Sequence, residues 1–432
     1  MTQNEDSYDH QIREVNAEVT RRLESAAEQD TRSNGNERAR VRRLTRQVLD
    51  ERAGRALTSG VQVLEAQVED EILRRVVARV CGLGPLEGLL ENPEIENLNL
   101  TGTTVWVRYA DGTRANLPPI VDSPEELVAL VRRIAADSPA GERRFDAAAP
   151  ILDMPLTDGS RLNAILDVSH QPAVSIRRHR YRTTGLGELR RLGTLDTLLD
   201  KLLTAAVRAR RNIVISGGTG AGKTTLLRAL AAQVPPEERV VTIEDVPELA
   251  LERDVEAHPD TVALHARPPN TEGRGEITVA DLVRAALRMS PDRVIVGETR
   301  GSETIPLLTA MSQGNDGSLT TLHAAGSQGA FTKLGAYAAL SSERLPLEAT
   351  SLLVASAVHL VVHIDATPEG NRRVTSVREV VGSDGAHVVS NEIYRVDGQP
   401  APPSPDTAQA LARAGFDVAQ LMGSPALNGQ RP

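Results

Sequence analysis

A glycine-rich segment that ends in a lysine and two threonines is the part of the sequence best suited to chemistry. It reads Gly217-Gly-Thr-Gly-Ala-Gly222-Lys223-Thr224-Thr225 and follows the apolar run Ile213-Val-Ile215. This is the spacing of a P-loop, in which backbone N–H groups turn inward around a phosphate at a helix N-terminus. Lys223 would reach the β and γ phosphates, and the Thr224 hydroxyl would bind Mg²⁺. The expected phosphate-binding residues are Gly217, Gly218, Thr219, Gly220, Ala221, Gly222, Lys223, Thr224 and Thr225.

The lysine is informative because the chain uses arginine almost everywhere else. Only three of its 49 basic residues are lysines, and Lys223 is one of them. The alternative is a glycine-rich turn that binds nothing, but the apolar strand before the glycines and the helical pattern after them argue against it. The sequence therefore predicts a site for nucleotide phosphates.

Three further strand-like runs end in side chains that could complete a hydrolytic site. Arg293-Val-Ile-Val-Gly-Glu298 has the layout of a Walker B segment, Val241-Thr-Ile-Glu244-Asp245 is a second run ending in carboxylates, and Thr320-Thr-Leu-His323 ends in an imidazole. Hydrolysis needs a metal ion and an oriented water, so we expect Glu298 to polarise water or to hold Mg²⁺ through water. His323 is either a γ-phosphate sensor or a hydrogen-bonded structural residue.

The elements that would position these side chains follow from hydrophobic periodicity. From residue 195 to 398, strand-like runs alternate with helical runs, which predicts a parallel sheet with ligands at the carboxyl ends of its strands. Residues 61–180 predict a small α+β domain, and residues 181–194 a connector. We expect residues 1–60 to be a polar, poorly packed leader, and residues 399–432 to be a Pro-rich, weakly helical tail.

Composition and charge disfavour several classes of protein. The 432-residue chain has a net charge of −9 and only 2% aromatic residues, which argues against stable nucleic-acid binding. Its single cysteine, Cys81, rules out an internal disulfide. The first residues lack the order of a signal peptide, and no apolar run approaches about 18 residues. We therefore expect a cytoplasmic protein whose association with a membrane is peripheral.

Taken together, the motifs resemble those of one ATPase superfamily. The chain is similar, over roughly residues 75–395, to the secretion ATPases of type II and type IV systems, most closely to the CpaF branch, also called TadA, of tight-adherence pili. The segments that carry the resemblance are Gly82-Leu-Gly-Pro-Leu86, Asp158-Gly-Ser-Arg-Leu-Asn163, Ser175-Ile-Arg-Arg178, Thr242-Ile-Glu-Asp-Val-Pro-Glu-Leu249, Arg267-Pro-Pro-Asn-Thr-Glu-Gly-Arg-Gly-Glu276, Met289-Ser-Pro-Asp-Arg293 with the Walker B segment, and Thr320-Thr-Leu-His-Ala324.

The resemblance implies a RecA-like P-loop ATPase domain preceded by a small α+β domain. It also implies a homo-hexameric ring in which ATP lies between the two domains of a subunit. Movement of one domain on the other would drive pilin or substrate movement at the inner face of the cell membrane. The implied partner is a polytopic inner-membrane platform protein.

The resemblance also implies roles for single residues. It assigns Lys223 and Thr224 to phosphate and Mg²⁺, Glu298 to the Walker B acid, Glu244 to a candidate base and His323 to the neighbourhood of the γ-phosphate. Arg177 is the leading candidate for an arginine that stabilises developing charge, and Arg267 and Arg274 are its competitors. Ordinary surface arginines remain the alternative for each of the three.

Two segments depart from the pattern of that superfamily. Met311-Ser-Gln-Gly-Asn-Asp-Gly317 stands where Asn after Met and His before Asp are usual, and Ala324-Ala-Gly326 lacks the Asn that commonly follows the histidine. These departures bear on partner and rate more than on nucleotide binding.

The sequence thus predicts a motor ATPase for assembly of a Flp/Tad-type pilus or for type II/IV secretion, using ATP and Mg²⁺. One alternative is a conjugation-type secretion ATPase with effector or DNA–protein cargo. Another is a nucleotide-gated ring scaffold with little turnover, although Glu298 and Glu244 would be superfluous for binding alone.

Overall fold

A computed structural model of the chain describes residues 11–12, 14–23, 37–60, 63–136, 144–156, 158–178, 185–267, 269, 273–367, 371–396, 398 and 401–423. The chain divides into two compact units, Met1–His179 and Arg180–Pro432. Each unit has its own sheet.

The first unit begins with a small helical cluster. It contains the helical residues 11–12 and 14–23, helix α1 (Glu37–Thr58) and helix α2 (Ala66–Cys81). Their apolar residues form one buried cluster that includes Val19, Val48 and Ile72. The expectation of a poorly packed leader is wrong for these described residues. A narrow apolar stripe recurs at helical spacing among many charges, and the average polarity of the segment concealed it.

The sheet of the first unit is antiparallel and has one apolar face. Its elements are short helix α3 (Leu86–Glu91), β1 (Ile95–Thr101), β2 (Thr104–Tyr109), β3 (Arg114–Leu117), α4 (Pro124–Ala136), β4 (Ile151–Pro155), β5 (Arg161–Ile165) and β6 (Ala173–Arg177). The strands run in the order β3-β2-β1-β6-β5-β4, and alternate residues such as Leu98, Val105 and Leu162 are buried in one core with residues of α4. The four inner strands follow strand-like runs of the sequence, Ile95–Leu100, Val105–Tyr109, Leu162–Leu166 and Val174–Ile176, whereas the two edge strands, β3 and β4, were not predicted.

The second unit contains an eight-stranded sheet in the order β14-β13-β12-β7-β11-β10-β8-β9. The six strands from β12 to β9 are parallel, and β13 and β14 continue the sheet antiparallel. The strands are β7 (Ile213–Gly217), β8 (Val240–Glu244), β9 (Thr261–His265), β10 (Arg293–Val296), β11 (Leu319–His323), β12 (Leu360–Ala366), β13 (Arg372–Asp384) and β14 (His387–Arg395).

Helices cover both faces of this sheet. Alternate residues of β7 belong to different cores, since Ile213 and Ile215 pack with one set of helices and Val214 with the other. The helices are α5 (Leu186–Arg191), α6 (Thr197–Arg208), α7 (Lys223–Ala231), α8 (Val279–Ala286), α9 (Thr304–Ser312), α10 (Gly329–Leu340), α11 (Leu347–Ala357), α12 (Pro405–Arg413) and α13 (Ala419–Gly423). This is the three-layer α/β arrangement that the alternating pattern predicted.

The segments expected to be connector and tail contribute to the core of the second unit. Leu186 and Leu189 of α5, and Leu411, Phe416 and Leu421 near the C-terminus, are buried in the same cluster as α6 and α7. Residues 179–184 and 424–432 lie outside the described residues. Within the described part of the chain, we find no helix that is both long and apolar enough to cross a bilayer.

Candidate active site

The predicted site residues of the second unit meet at one edge of its sheet. Strands β7, β11, β10 and β8 are successive neighbours, and each is followed at its carboxyl end by a segment that the sequence singled out. Because parallel strands end at the same edge, the P-loop after β7, His323 at the end of β11 and Glu298 after β10 are brought together.

The P-loop has backbone conformations that only glycine adopts easily. Gly220 and Gly222 have φ of +75° and +96°, in the left-handed region. A Cβ at Gly217 would lie 2.4 Å from the Ile364 carbonyl oxygen on β12. The loop therefore needs these glycines to turn from β7 into α7, whose N-terminus would face a phosphate.

Lys223 is almost enclosed at the start of α7. Only 7% of the residue is exposed, and its Nζ donates to the Gly218 carbonyl oxygen at 2.9 Å. Burial lowers the pKa of Lys223, while the negative charge of Glu298 acts in the opposite direction. An anionic phosphate would satisfy this ammonium better than its present neutral partners, so the loop fits a nucleotide phosphate.

His323 lies between Lys223 and Glu298. Its Nε2 is 2.8 Å from Glu298 Oε1, and Lys223 Nζ lies 3.2 Å from its Nδ1 and 3.3 Å from its Nε2. A carboxylate can only accept, so the contact with Glu298 requires a proton on Nε2 of His323. The imidazole thus contacts both the P-loop lysine and the carboxylate that follows β10.

Glu244 has a different environment from Glu298. Only 6% of the residue is exposed, and its carboxylate accepts from the backbone N–H groups of Glu248 and Leu249, each at 3.0 Å. Burial raises the pKa of Glu244 to about 8, although these two N–H groups lower it. At neutral pH this carboxyl is therefore mostly protonated and held against its own loop.

Glycine at position 297 is required for this packing. A Cβ there would lie 2.9 Å from Glu244 Cγ and 3.1 Å from its Oε1. The loop after β10 and the side chain at the end of β8 are thus in direct contact.

The other predicted site residues lie in the first turn of α7, at the end of β6 and in the segment after β9. Thr224 and Thr225 lie in the first turn of α7. The Thr224 hydroxyl and the Glu298 carboxylate are oxygen donors of the kind that Mg²⁺ prefers, and the Glu298 side chain is 33% exposed, so each is chemically suited to a hydrated ion. Arg177 is an exposed residue at the end of β6, in the first unit. Arg267 donates to the Gly275 carbonyl oxygen at 2.8 Å.

Sequence reasoning missed the hydroxyl groups that fix the loop after β10. Thr299 Oγ1 lies 2.7 Å from Thr320 Oγ1, and Thr321 Oγ1 donates to the Gly297 carbonyl oxygen at 2.7 Å. All three threonines are buried. The run of threonines beside Glu298 and His323 was the available signal.

The chain is similar to proteins named for secretion and for conjugal transfer. A model of the family described as "Type II/IV secretion system protein" matches residues 112–395. A Mycobacterium tuberculosis (strain H37Rv) protein provisionally named for conjugal transfer is 36% identical over 323 residues, which are 72% of this chain and 88% of that protein. The type IV secretion system protein PtlH of Bordetella pertussis is 34% identical over 280 residues, which are 59% of this chain and 77% of PtlH. The crystal structure of the VirB11 ATPase of Brucella suis has 26% identity, covers 68% of this chain and 94% of that chain, and gives a TM-score of 0.37.

These findings bear on three of the predictions. The α/β fold with a RecA-like P-loop unit after a smaller α+β unit is confirmed, as is the prediction of a secretion-type ATPase. The narrower assignment to the CpaF or TadA branch stays a prediction. Because the family match covers more than half of the sequence, the chain belongs to the type II/IV secretion system protein family.

Proposed function

We propose that the chain is a motor ATPase that hydrolyses ATP to power a secretion or pilus-assembly apparatus at the cytoplasmic face of the membrane. The observation that carries the proposal is the contact series from Lys223 through His323 to Glu298. It joins a phosphate-binding group to a carboxylate that could take a proton from water, which a purely structural P-loop would not need.

In this proposal each group has one task. Lys223 leaves the Gly218 carbonyl and donates to the β and γ phosphates, and the backbone N–H groups of the glycine loop surround them. Glu298 orients the attacking water and accepts its proton, while His323 keeps the carboxylate in place and senses the γ-phosphate. Mg²⁺, when bound near Thr224 and Glu298, would neutralise phosphate charge.

Glu244 was the candidate base in the sequence reasoning, and its burial favours a different task. A mostly protonated carboxyl enclosed by backbone N–H groups is a poor proton acceptor in this state. We infer that Glu244 supports the loop that carries Glu298 through its contact with Gly297. Glu298 is therefore the base that we propose.

Two kinds of apparatus are candidates for the one that this motor serves, a pilus and a type IV secretion or conjugation system. The sequence segments favour a Flp/Tad-type pilus, whereas PtlH is named for type IV secretion and the M. tuberculosis relative for conjugal transfer. Both readings involve a homo-hexameric ring, a polytopic membrane platform protein as partner and Arg177 as the charge-stabilising arginine. Genes for prepilins beside this one, and loss of surface pili in a Lys223→Ala strain, would support the pilus reading.

The test of nucleotide binding compares Lys223→Ala with Lys201→Ala in the full chain. Lys201 is exposed on α6 and serves as the matched control. We expect Lys223→Ala to weaken ATP binding by about tenfold or more and to abolish turnover, because a charge-assisted contact to the phosphates is lost. Equal ATP affinity in the wild-type chain and Lys223→Ala would contradict the proposed site. Binding without turnover, even with membrane partners present, would favour the ring scaffold.

A further inference from the structure

Arg300 lies two residues after Glu298, in the loop between β10 and α9, and the function proposed above gives it no part. Its guanidinium pairs with the carboxylate of Asp245, and its Nη1 lies 3.9 Å from Glu298 Oε2. Asp245 follows β8 and Glu298 follows β10, which are neighbours in the sheet. One arginine therefore reaches carboxylates from two adjacent strand ends.

The backbone that carries Arg300 is held on both sides. Before it, Thr299 N donates to the Thr321 carbonyl oxygen at 2.8 Å. After it, Gly301 N donates to Glu303 Oε1 at 2.8 Å, and the Arg300 N–H donates to the same oxygen. With the backbone fixed, the position of the guanidinium is set by its own torsions and by the two carboxylates.

Basic and acidic side chains lie next to one another along this edge. In the order of the strands, the edge carries Lys223, His323, Glu298, Arg300 and Asp245. Each oxygen of Glu298 has its own neighbour, because Oε1 contacts His323 and Oε2 faces Arg300. Without Arg300, Glu298 and Asp245 would be like charges at adjacent strand ends, and Glu298 could turn away from His323.

We propose that Arg300 is a positioning residue for ATP hydrolysis, held by Asp245 so that it keeps the Glu298 carboxylate directed at His323 and the attacking water. This inference rests on the proposed role of Glu298. The Arg300 side chain is 50% exposed, and an ion pair at such a position contributes little to stability because water screens it. A large loss of turnover could therefore not be ascribed to unfolding.

The test measures kcat, ATP affinity and melting temperature for the full chain and for Arg300→Gln, Arg300→Lys, Asp245→Asn and the Arg300→Gln/Asp245→Asn double variant. Arg284→Gln is the control, because the Arg284 side chain is also 50% exposed and pairs with Glu343 at 3.0 Å. We expect Arg300→Gln to lower kcat by about 10- to 100-fold with ATP affinity within about twofold of wild type. Arg300→Lys should recover part of the loss, because lysine keeps the charge without the two-pronged geometry.

The double variant separates positioning from independent contributions. If Asp245 acts through Arg300, the double variant should have the same kcat as Arg300→Gln alone. The proposal is overturned if Arg300→Gln keeps a kcat within about twofold of wild type, if the two single losses multiply, or if kcat falls only in step with ATP affinity or melting temperature. Glu298→Gln is measured alongside: an active Glu298→Gln would refute the proposed role of Glu298, whereas an inactive Glu298→Gln beside an active Arg300→Gln would refute only the role of Arg300.

Discussion

At the scale of single residues, two glutamates at the ends of neighbouring strands lie in different environments. Glu298 is a third exposed and contacts an imidazole, whereas Glu244 is enclosed and bonded to backbone N–H groups. The sequence shows both as a carboxylate after an apolar strand, and nothing in that pattern tells them apart. The difference arises because the chain after Glu244 folds back over its carboxylate.

Glu244→Gln should become more stable relative to the wild-type chain as pH rises. The folded-state pKa of Glu244 is raised from 4.5 to about 8, so folding favours the protonated form and the unfolding free energy of the wild type falls as pH rises through this window. Glutamine does not titrate and escapes this loss. We expect a relative gain of about 4 kcal/mol, or roughly 8–16 °C in apparent melting temperature, between about pH 5 and pH 8.5.

The measurement is a set of thermal melts of both proteins across that pH range. Glu237→Gln is the control, because Glu237 is an exposed residue of the same unit, in the turn before β8. A relative stability of Glu244→Gln that falls as pH rises would mean that Glu244 is charged in the folded protein.

At the scale of elements, the start of β7 is anchored by one asparagine. The Asn212 side chain donates to the carbonyl oxygens of Met311 and Ala357 at 2.9 and 2.7 Å, and accepts from Gly317 N and Ser318 N at 2.8 and 3.0 Å. It thereby joins the ends of α9 and α11 and the beginning of β11 to the strand that carries the P-loop. The segment from Met311 to Gly317 is thus bonded to the start of the strand that leads into the P-loop.

Asn212→Ala should destabilise the second unit by about 2–4 kcal/mol, because several buried backbone groups would lose their partner at once. Asn315→Ala is the comparison, since Asn315 makes one side-chain hydrogen bond, to the Pro291 carbonyl oxygen at 2.8 Å, and should cost about 1 kcal/mol. Urea unfolding monitored by circular dichroism would measure both. Equal losses in the two variants would contradict the anchoring role of Asn212.

Gly297→Ala should disturb the contact between the β8 and β10 ends. The added methyl would overlap the Glu244 side chain, at a cost of about 1–3 kcal/mol, and would move the loop that carries Glu298. We expect a lower kcat together with a lower melting temperature. Gly301→Ala is the control, since the nearest atom to a Cβ there is a Glu303 carboxylate oxygen at 3.5 Å. A Gly297→Ala variant with wild-type stability would show that Glu244 moves without cost.

The strands of the site could be predicted because they are apolar, β-branched and fully buried. Every residue of β7 and β8 is buried, and this gives a continuous hydrophobic run that sequence patterns identify well. By contrast, β9 and the edge strands β3 and β4 are only partly buried. Their pairing depends on a neighbouring strand that is distant in sequence, which no local pattern records.

At the scale of the whole molecule, the described residues of the leader and of the tail are packed more closely than composition suggested. The C-terminal helices bury Leu411 and Phe416 in the core that also contains Leu199 and Leu203 of α6. The buried carboxylate of Glu379 on β13 accepts from the backbone N–H of Ser404, which caps α12. Since α6 leads directly into β7, the C-terminal helices support the unit that holds the P-loop.

Leu411→Ala should therefore destabilise the second unit, by about 2–4 kcal/mol, because the leucine is fully buried and its removal leaves a cavity. The neighbouring Arg413→Ala, at an exposed position of the same helix, is the control and should change little. Differential scanning calorimetry would compare them. Equal melting temperatures for Leu411→Ala and wild type would show that the C-terminal helices do not support the core.

The candidate P-loop could be located from the sequence because a P-loop imposes fixed residue types at fixed spacing. The packing of the segments near the ends of the chain could not be located in this way. The contact series through His323 could not be deduced in the same way. It depends on β11 lying between β7 and β10 in the sheet, which is a property of the whole fold.

The measurement that tests the central claim most directly is single-turnover hydrolysis of ATP by the full-length chain and its Glu298→Gln variant, with ATP affinity measured on both. The account predicts that Glu298→Gln binds ATP about as tightly as wild type and releases phosphate at least about 100-fold more slowly, because the proton acceptor is lost while the P-loop is intact. Phosphate release by Glu298→Gln at a rate within a few-fold of wild type would contradict the account.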